Sequence, residues 1–192
     1  MNDKLVDVSD AEALAAEVER LRAEIAHLEE RVALLDRLAH QDALIELPNR
    51  RGFMRQLDAL IARVTRHGEP AAMLFVDIDG LKIINDTFGH AAGDEALIHV
   101  AQLLVEGVRK SDCVARIGGD EFGILVERSD EQDAQETAAR LMSRIADCEF
   151  CHDGTCLPLS VAVGIGMIEA NDLPEAVIAR ADMAMYRDKA AA

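Results

Sequence analysis

The amino-acid sequence predicts an α/β (α+β) fold in which a central, mostly antiparallel sheet is flanked by helices and preceded by a long coiled-coil helix. Three observations lead to this prediction. Apolar residues recur every three or four positions over residues 14–39. Strand-like apolar runs alternate with amphipathic helical runs from residue 42 onward. Between residues 116 and 126, a glycine pair separates apolar runs, which is the pattern of a β-hairpin.

Residues 11–41 carry a heptad repeat that predicts a parallel dimeric coiled coil. Its a and d positions are Leu14, Val18, Leu21, Ile25, Leu28, Val32 and Leu35. β-Branched residues at a and leucine at d favour two parallel helices, so we expect a homodimer through residues 14–39. The alternative is a single amphipathic helix packed on its own domain. Residues 1–10 are polar and mixed, and we expect a flexible N-terminus there.

Composition narrows the classes of partner. The 192 residues carry a formal net charge of −16, which argues against the basic patches that bind nucleic acid or anionic membranes. No secretory signal segment follows the start, and no apolar run approaches the ~18 residues of a membrane-spanning helix. We therefore expect a cytoplasmic protein with no nucleic acid and no membrane among its partners.

Metal binding and a plain hairpin are both compatible with the cysteine pattern. The cysteines are Cys113, Cys148, Cys151 and Cys156. The last three form C-x2-C-x4-C beside His152, a weak metal-binding pattern. Asp153-Gly154 instead predicts a two-residue turn that places Cys151 and Cys156 opposite each other on neighbouring strands. In a reducing cytosol we expect that pair to remain free thiols.

The globular part of the chain begins with a capped helix. We expect the long helix to continue through His40–Leu44 towards Pro48, because proline disfavours helical backbone at the residue before it. Asn49 then caps a second helix that ends near Gly68. The apolar face of this second helix comprises Phe53, Leu57, Leu60, Ile61 and Val64.

A buried strand over residues 71–76 leads directly to two carboxylates, Asp77 and Asp79. An unpaired buried carboxylate is costly, so we expect a cation or strong donors near Asp77. Residues 85–94 predict a polar loop or a short helix. A new helix should begin at Asp94, which either caps that helix or reads a purine edge. Its apolar face is Leu97, Val100, Ala101, Leu104 and Val108.

The second half of the chain starts with the hairpin, in which we expect Gly118 and Gly119 to supply the positive φ angles of a tight turn. A helix follows over residues 131–147, then a strand over 157–167 and a last helix over 173–189. The apolar face of the first of these helices is Ala134, Ala138, Leu141, Met142 and Ile145. Adjacent hairpins imply an antiparallel or mixed sheet.

Two carboxylates lie at the ends of separate apolar strands. Asp77 follows one strand and Asp120 precedes another, so pairing of these strands brings both to one edge of the sheet. Mg²⁺ commonly takes one or two carboxylates together with phosphate oxygens, and glycines let phosphates approach the backbone. The sequence therefore predicts a metal and phosphate site for nucleotidyl transfer. The alternative is an ordinary solvated hairpin tip.

Several spaced motifs resemble those of GGDEF-family diguanylate cyclases. They are Asp77-Ile-Asp-Gly-Leu-Lys82-Ile-Ile-Asn85-Asp-Thr-Phe-Gly-His90-Ala-Ala-Gly93-Asp94, then Arg109-Lys-Ser-Asp112, then Arg116-Ile-Gly118-Gly119-Asp120-Glu121-Phe122. The resemblance spans Asp42 to Lys189 and implies a palm-like nucleotidyl-cyclase fold, with residues 42–192 as the catalytic domain. It also implies that two GTP molecules, one per subunit, condense to cyclic di-GMP and two pyrophosphates.

The resemblance implies roles for single residues. Asp77, the carbonyl of Ile78 and Asp120 would hold Mg²⁺ or Mn²⁺, with Glu121 on a second ion or assisting deprotonation. Asn85 and Asp94 would read guanine, because Asp94 can accept from both N1–H and N2–H₂. The phosphates would lie against Gly118, Gly119 and the backbone of Gly80 and Leu81, with positive charge from Lys82 and Lys189.

The RxxD motif adds a possible second site. Arg109 and Asp112 match the family's inhibitory site for product, and Arg140 would complete it from a neighbouring domain. A helix-end cation and a solvated side chain are the structural alternatives for the two arginines. A binding module provides an alternative function: an inactive GGDEF receptor that holds cyclic di-GMP at the RxxD motif. Cyclisation of a single nucleotide is a third possibility, and an upstream sensory partner would supply the input.

The sequence also departs from the family pattern. The usual Leu-Thr-Gly-Leu-Pro-Asn-Arg is replaced by Leu44-Ile-Glu-Leu-Pro-Asn-Arg50, and Leu81 replaces a usual Phe. The family commonly continues after the lysine with Gly-Arg-Asn, whereas Lys189 is followed by three alanines. We expect weaker GTP binding or slower turnover from this last difference.

Overall fold

The computed structural model describes the backbone of residues 8–191, and the chain divides into two compact units, residues 1–39 and residues 40–192. The flexible N-terminus predicted for residues 1–10 lies outside the described residues as far as Asp7. Helix α1 (Val8–His40) begins directly afterwards. None of the described helices combines the length and the hydrophobicity needed to cross a membrane.

Helix α1 exposes its heptad residues. Between 38% and 66% of each residue at the predicted a and d positions is accessible to solvent. Arg20 pairs along the helix with Glu17 at 2.8 Å and with Glu24 at 3.1 Å. Exposed pairs of this kind support a helix only weakly. These ion pairs therefore contribute little to the stability of α1, and they give no reason for its exposed apolar stripe.

Helix α1 ends at His40, so its predicted continuation through Leu44 is wrong. Oδ1 of Asp42 accepts hydrogen bonds from the backbone N–H of Leu44 at 2.9 Å and of Ile45 at 3.1 Å. Aspartate favours such local bonds over continuation of a helix. Residues 41–49 consequently form a loop that opens the second unit.

The predicted N-cap of the next helix is confirmed. The side chain of Asn49 accepts from the backbone N–H of Arg51 at 2.9 Å and of Gly52 at 3.1 Å. Helix α2 (Arg50–His67) is followed by the C-cap residue Gly68, whose φ of +68° is a left-handed conformation that glycine adopts without strain. Its predicted apolar face is buried: Phe53, Leu57, Leu60, Ile61 and Val64.

The remaining elements form a layered α/β unit. The strands are β1 (Ala71–Ile78), β2 (Cys113–Arg116), β3 (Glu121–Glu127), β4 (Phe150–His152), β5 (Thr155–Leu157) and β6 (Val161–Ile168). The helices are α3 (Leu81–Phe88), α4 (His90–Gly107), α5 (Glu131–Ala146) and α6 (Pro174–Ala191). The main sheet has the order β2-β3-β1-β6 with every neighbouring pair antiparallel, which confirms the predicted class.

Strand β1 separates two apolar layers. Leu74 and Val76 belong to the layer that contains α4 and α5. Met73 and Phe75 belong to the opposite layer, which contains α2 and α6. Because successive side chains of a strand point to opposite faces, burial on both faces requires the continuous apolar run that the sequence shows.

Three further predictions about the helices and strands are wrong. Helix α4 begins at His90, because Gly89 with φ +87° already separates it from α3, so Asp94 is not its N-cap. Met142 is predicted on the apolar face of α5, yet 41% of it is exposed. The strand predicted over residues 157–167 is divided into β5 and β6 by an intervening Pro158, which lacks the N–H that a sheet ladder needs.

The short hairpin β4–β5 has the predicted turn but a different cysteine state. Asp153 and Gly154 form its two-residue turn, and Cys151 lies directly opposite Cys156. The two cysteines are joined by a disulfide, so the expectation of free thiols is wrong for this pair. Their side chains are close enough to bond because the turn sets them in register. Cys113 and Cys148 are free.

Candidate active site

The sheet register brings the predicted acidic residues to one edge. Asp77, near the end of β1, lies directly opposite Glu121 at the start of β3. The backbone N–H of Ile78 donates to the carbonyl of Asp120 at 3.1 Å. Asp77, Asp120 and Glu121 are therefore neighbours, and together with Asp79 we call them the acidic edge.

The turn between β2 and β3 needs a glycine for space, not for backbone geometry. Neither Gly118 nor Gly119 has a positive φ, so that prediction is wrong. A Cβ on Gly118 would lie 2.1 Å from Oε2 of Glu121, and a side chain there would displace this carboxylate. Apart from Gly119 and its two chain neighbours, no atom of the described residues lies within 4 Å of the corresponding position on Gly119. A ligand can therefore approach the backbone there.

Arg116 fixes the turn. Its Nη2 and Nε donate to the carbonyl of Gly119 at 2.7 and 3.1 Å. Its Nη1 lies 3.2 Å from Oδ1 of Asp42, and only 15% and 19% of the two side chains are exposed. We call this Arg116–Asp42 pair the arginine clamp. The sequence does not predict it, because the partners are 74 positions apart and no local pattern connects them.

Burial and like charge act on Glu121. Burial raises its pKa most, and the charges of Asp120, Asp77 and Asp182 raise it further, whereas Arg50 lowers it. Asp182 belongs to α6 and Arg50 begins α2. Sequence patterns do not predict that either residue acts at this site. The acidic edge thus carries an excess of negative charge that a bound cation would relieve.

Lys189 reaches the acidic edge from α6. Its Nζ hydrogen-bonds the carboxylate of Asp77 and lies 3.1 Å from Oδ1 of Asp79. Partial burial of the ammonium lowers its pKa, but bonds and charges from both aspartates outweigh burial, and the pKa of Lys189 is raised. Ser160 also donates to Asp79 at 2.9 Å. Asp79 therefore belongs to the site, although the resemblance implies no role for it.

The chemistry of the acidic edge fits a divalent cation. Among the described residues, no three His, Cys, Asp or Glu side chains have converged into a ligand cage. A positively charged ammonium nevertheless lies between the carboxylates of Asp77 and Asp79, and burial together with like charge raises the pKa of Glu121. Carboxylate and carbonyl oxygens of this kind are what Mg²⁺ and Mn²⁺ prefer.

The start of α3 offers backbone donors beside the acidic edge. Gly80 has φ +69° and precedes α3, whose N-terminus has no side-chain cap. Backbone N–H groups at such a terminus favour phosphate oxygens. Leu81 begins the helix and Lys82, in its first turn, is exposed. The predicted phosphate-binding residues of this segment therefore follow directly after Asp79.

Asn85 and Asp94 come from two closely packed helices. A Cβ on Gly93 would lie 2.1 Å from Oδ1 of Asn85, so glycine at this position permits the approach of α4 to α3. Asn85 is half-buried, and Asp94, the residue after Gly93, is exposed. The two residues predicted to read guanine are thus held near each other by helix packing.

The RxxD segment forms a second feature. The carboxylate of Asp112 accepts from the backbone N–H of Arg109 at 2.9 Å and of Glu127 at 3.3 Å. An open cleft of about 340 Å³ is lined by both RxxD residues. Arg140 donates to the carbonyl of Gly107 at 3.0 Å, so its side chain lies beside the helix end that precedes Arg109.

Comparison with known proteins identifies the family. The family described as "Diguanylate cyclase, GGDEF domain" matches residues 39–192. Diguanylate cyclase TpbB of Pseudomonas aeruginosa is 38% identical over 179 residues, which are 92% of this chain and 40% of that protein. Response regulator PleD of Caulobacter vibrioides is 38% identical over 156 residues, which are 80% of this chain and 34% of that protein. The chain thus spans less than half the length of these curated relatives.

Solved structures share the fold. One contains the coiled coil and GGDEF domain of DgcB from Caulobacter crescentus in complex with c-di-GMP; it has a TM-score of 0.86 at 26% identity and covers 93% of this chain and 95% of that one. Diguanylate cyclase SiaD in complex with its activator SiaC from Pseudomonas aeruginosa has a TM-score of 0.76 at 27% identity, covering 96% and 74%. By sequence and by fold, this chain belongs to the GGDEF-domain family of diguanylate cyclases.

Proposed function

We propose that this chain is a diguanylate cyclase, which condenses two GTP molecules into cyclic di-GMP and two pyrophosphates. The observation that carries the proposal is the acidic edge, where Asp77, Asp120 and Glu121 meet beside a glycine turn in a GGDEF-family domain. Relatives named diguanylate cyclases, among them TpbB, support the same activity.

In this proposal, Asp77, the carbonyl of Ile78 and Asp120 hold Mg²⁺ or Mn²⁺, and Glu121 holds a second ion or assists deprotonation. Such an ion, when bound, neutralises phosphate charge and lowers the pKa of a coordinated hydroxyl. The chain itself orients the triphosphate, and Lys189 exchanges its aspartate partners for phosphate oxygens. Phosphate binding involves Gly80, Leu81, Lys82, Gly118, Gly119 and Lys189.

Base selection is assigned to Asn85 and Asp94. A carboxylate accepts hydrogen bonds only, and guanine presents two donors, N1–H and N2–H₂, on one edge. Adenine has an acceptor at N1 and cannot make the same pair. Asp94→Asn is therefore expected to reduce the preference for GTP over ATP by about 10- to 100-fold, the range for an unpaired polar group in a recognition site.

Dimerisation is assigned to α1. In the proposed arrangement, residues 11–41 form a parallel coiled coil, contact is made through residues 14–39, and residues 42–192 form the catalytic domain. Each subunit's 3′-hydroxyl attacks the α-phosphate bound by the other, so one domain alone cannot complete the product. The exposed apolar stripe of α1 supports this assignment, because pairing would remove it from water.

The dimer has a simple test. Ile25→Lys places a charge at an a position and is expected to lower specific activity at least ~10-fold at low protein concentration, with recovery at high concentration. Ala23→Lys, at the f position of the preceding heptad, is the matched control and should leave activity unchanged. Specific activity of Ile25→Lys that stays constant and normal on dilution would refute dimerisation through α1.

Product inhibition is assigned to Arg109 and Asp112, with Arg140 contributed by a neighbouring domain. The open cleft beside these residues supports the assignment. The same cleft also suits the second candidate function, an inactive receptor for cyclic di-GMP. Arg109→Ala should relieve inhibition of an enzyme by its product, whereas in a receptor the substitution would abolish the only ligand site.

The decisive experiment is product analysis. The chain is incubated with Mg²⁺ and either GTP or ATP, and the products are identified by mass. We expect cyclic di-GMP and pyrophosphate from GTP and no cyclic dinucleotide from ATP. Binding of cyclic di-GMP without synthesis would establish the receptor, and a cyclic mononucleotide would establish cyclisation of a single substrate.

A further inference from the structure

We propose that Cys151 and Cys156 form a reversible thiol–disulfide exchange site, whose reactants are low-molecular-weight disulfides and thiols. The site lies on the β4–β5 hairpin, which forms a two-stranded sheet separate from the main sheet. Exchange at this site does not depend on the proposed enzymatic activity.

The hairpin presents its two faces to different surroundings. Phe150 is buried in the core, and His152 bonds to Glu95 of α4 at 2.7 Å. Because side chains alternate along a strand, Cys151 lies on the opposite face, and both it and Cys156 are exposed. The same alternation places the sulfur atoms and His152 on opposite faces, and in the part of the chain that the structure describes no metal-binding cluster forms around the C-x2-C-x4-C pattern. Small reactants can therefore reach the sulfur atoms.

The conformation of the hairpin is also maintained by its turn and its packing, and not by the disulfide alone. Asp153 and Gly154 adopt φ of +47° and +78°, the positive values that a tight two-residue hairpin turn requires. Phe150 also lies with its ring centroid 5.6 Å from that of His99. The cross-link connects residues only five positions apart, and short loops gain the least from closure. Reduction should therefore leave the two thiols facing each other and ready to bond again.

The other two cysteines are poor competitors in exchange. Burial raises the pKa of Cys113 to about 11. Burial also raises the pKa of Cys148, although a backbone hydrogen bond partly offsets it. The thiolate is the reactive form, so both thiols stay protonated and slow at neutral pH. Exchange is thereby confined to the exposed pair.

The reaction balances with a small disulfide as the oxidant. One cysteine thiolate attacks a sulfur of oxidised glutathione, forms a mixed disulfide and releases one glutathione thiolate. The second cysteine thiolate then attacks the protein sulfur, closes the Cys151–Cys156 bond and releases the second glutathione. Two electrons pass from the cysteine sulfurs to glutathione, and the two cysteine protons end on the released thiols. An excess of reduced glutathione reverses both steps.

The test is a redox titration of the folded chain. The protein is equilibrated in glutathione buffers of increasing oxidised fraction, free thiols are alkylated under native and then denaturing conditions, and labelled sites are found by peptide mass analysis. We expect the alkylated fraction of Cys151 and Cys156 to fall together from nearly all to nearly none and to recover on reversal. Cys113 and Cys148 should remain thiols throughout.

Matched variants keep the test decisive. Cys148→Ala should titrate as the wild type does, and Cys151→Ser should leave Cys156 a thiol or a mixed disulfide with glutathione. Circular dichroism must show that the reduced chain is folded. A pair that is reduced only after unfolding would be a structural cross-link, and oxidation that recruits Cys148 would mean scrambling; either result overturns the proposal.

Discussion

The turn at Gly118 and Gly119 lies between two charged clusters that are built in opposite ways. On one side, Arg116 of the arginine clamp donates to the carbonyl of Gly119 and to Asp42, and Asp42 also accepts two backbone N–H bonds. On the other side, the acidic edge leaves the pKa of Glu121 raised by burial and by like charge. A satisfied cluster fixes a backbone, whereas a cluster short of opposite charge is suited to a ligand.

The largest expected effect comes from removing a carboxylate of the acidic edge. Asp120→Asn should lower the rate of cyclic di-GMP synthesis by roughly 10³-fold or more, because it deletes a proposed metal ligand and its charge. The variant should unfold at the same temperature as the wild type or above it, since it relieves repulsion. The rate is measured by chromatography of the product and stability by thermal unfolding.

Asp58→Asn is the matched control, because Asp58 is exposed on α2 and has no proposed role. Its activity should equal that of the wild type. If Asp120→Asn retained a tenth or more of the activity, the acidic edge would not be the metal site.

Lys189 provides a second test of the comparison, because its ammonium occupies a position at the acidic edge that a metal cation would take. Lys189→Met should bind Mn²⁺ about 3- to 10-fold more tightly without nucleotide, since the ammonium no longer competes for Asp77 and Asp79. The same variant should show KM for GTP about 10-fold higher, because a phosphate partner is lost. Calorimetry with Mn²⁺ and steady-state kinetics measure the two effects.

Tighter binding of Mn²⁺ together with a higher KM for GTP would distinguish competition between Lys189 and the metal from a general loss of the site. Arg187→Met, on the same helix and exposed, should change neither quantity. Weaker binding of Mn²⁺ by Lys189→Met would show that the lysine supports the metal site, contrary to the competition proposed.

The acidic edge and the arginine clamp also differ in how far the sequence predicts them. Asp77, Asp120 and Glu121 end or begin apolar strands, and the spaced motifs of the sequence contain all three. The Arg116–Asp42 pair depends on a loop over residues 41–49, part of which the sequence predicts to be helical. A contact between residues 74 positions apart has no local signature, so only the fold reveals it.

Local physics explains the other errors. The glycine pair predicts a turn with positive φ, but Gly118 is needed to leave room for the carboxylate of Glu121. The sequence favours Asp94 as the start of α4, but Gly89 places the break earlier. Periodicity correctly predicts the apolar face of α2, and the continuous apolar run correctly predicts the buried strand β1, because burial decides the residue type in both. Neither pattern reveals charge effects from Asp182, which arrives from a distant helix.

The arginine clamp itself should contribute mainly to stability. Arg116→Met removes the guanidinium from a largely buried Asp42, and we expect a loss of about 2–3 kcal/mol in the free energy of unfolding. Chemical denaturation measures this loss. A double-mutant cycle with Asp42→Asn should give a coupling of about 1–2 kcal/mol. Additive effects of the two substitutions would show that the pair does not act as a unit.

The smallest expected effects concern the pH dependence of stability. A satisfied carboxylate, which has a positively charged partner, and an unsatisfied one, which is crowded by like charge, should change stability in opposite directions. Arg180 contacts both carboxylate oxygens of Asp172 at 3.1 Å, and this bond, opposed by burial, lowers the pKa of Asp172. The resulting stability is present above the ordinary pKa of about 3.9 and is lost as pH falls through the lower folded value. Asp172→Asn should therefore lower Tm at pH 7, and the difference from wild type should shrink towards pH 3.

Glu121 should behave in the opposite way. Its folded pKa is raised, so ionisation at neutral pH destabilises the metal-free fold, and stability falls as pH rises through the folded value. Glu121→Gln should consequently raise Tm at pH 7 in the presence of a chelator and have no effect below about pH 4. Thermal unfolding from pH 3 to pH 8 measures both variants. Shifts of the same sign would mean that the two carboxylates occupy equivalent environments, and the contrast between satisfied and unsatisfied carboxylates would fail.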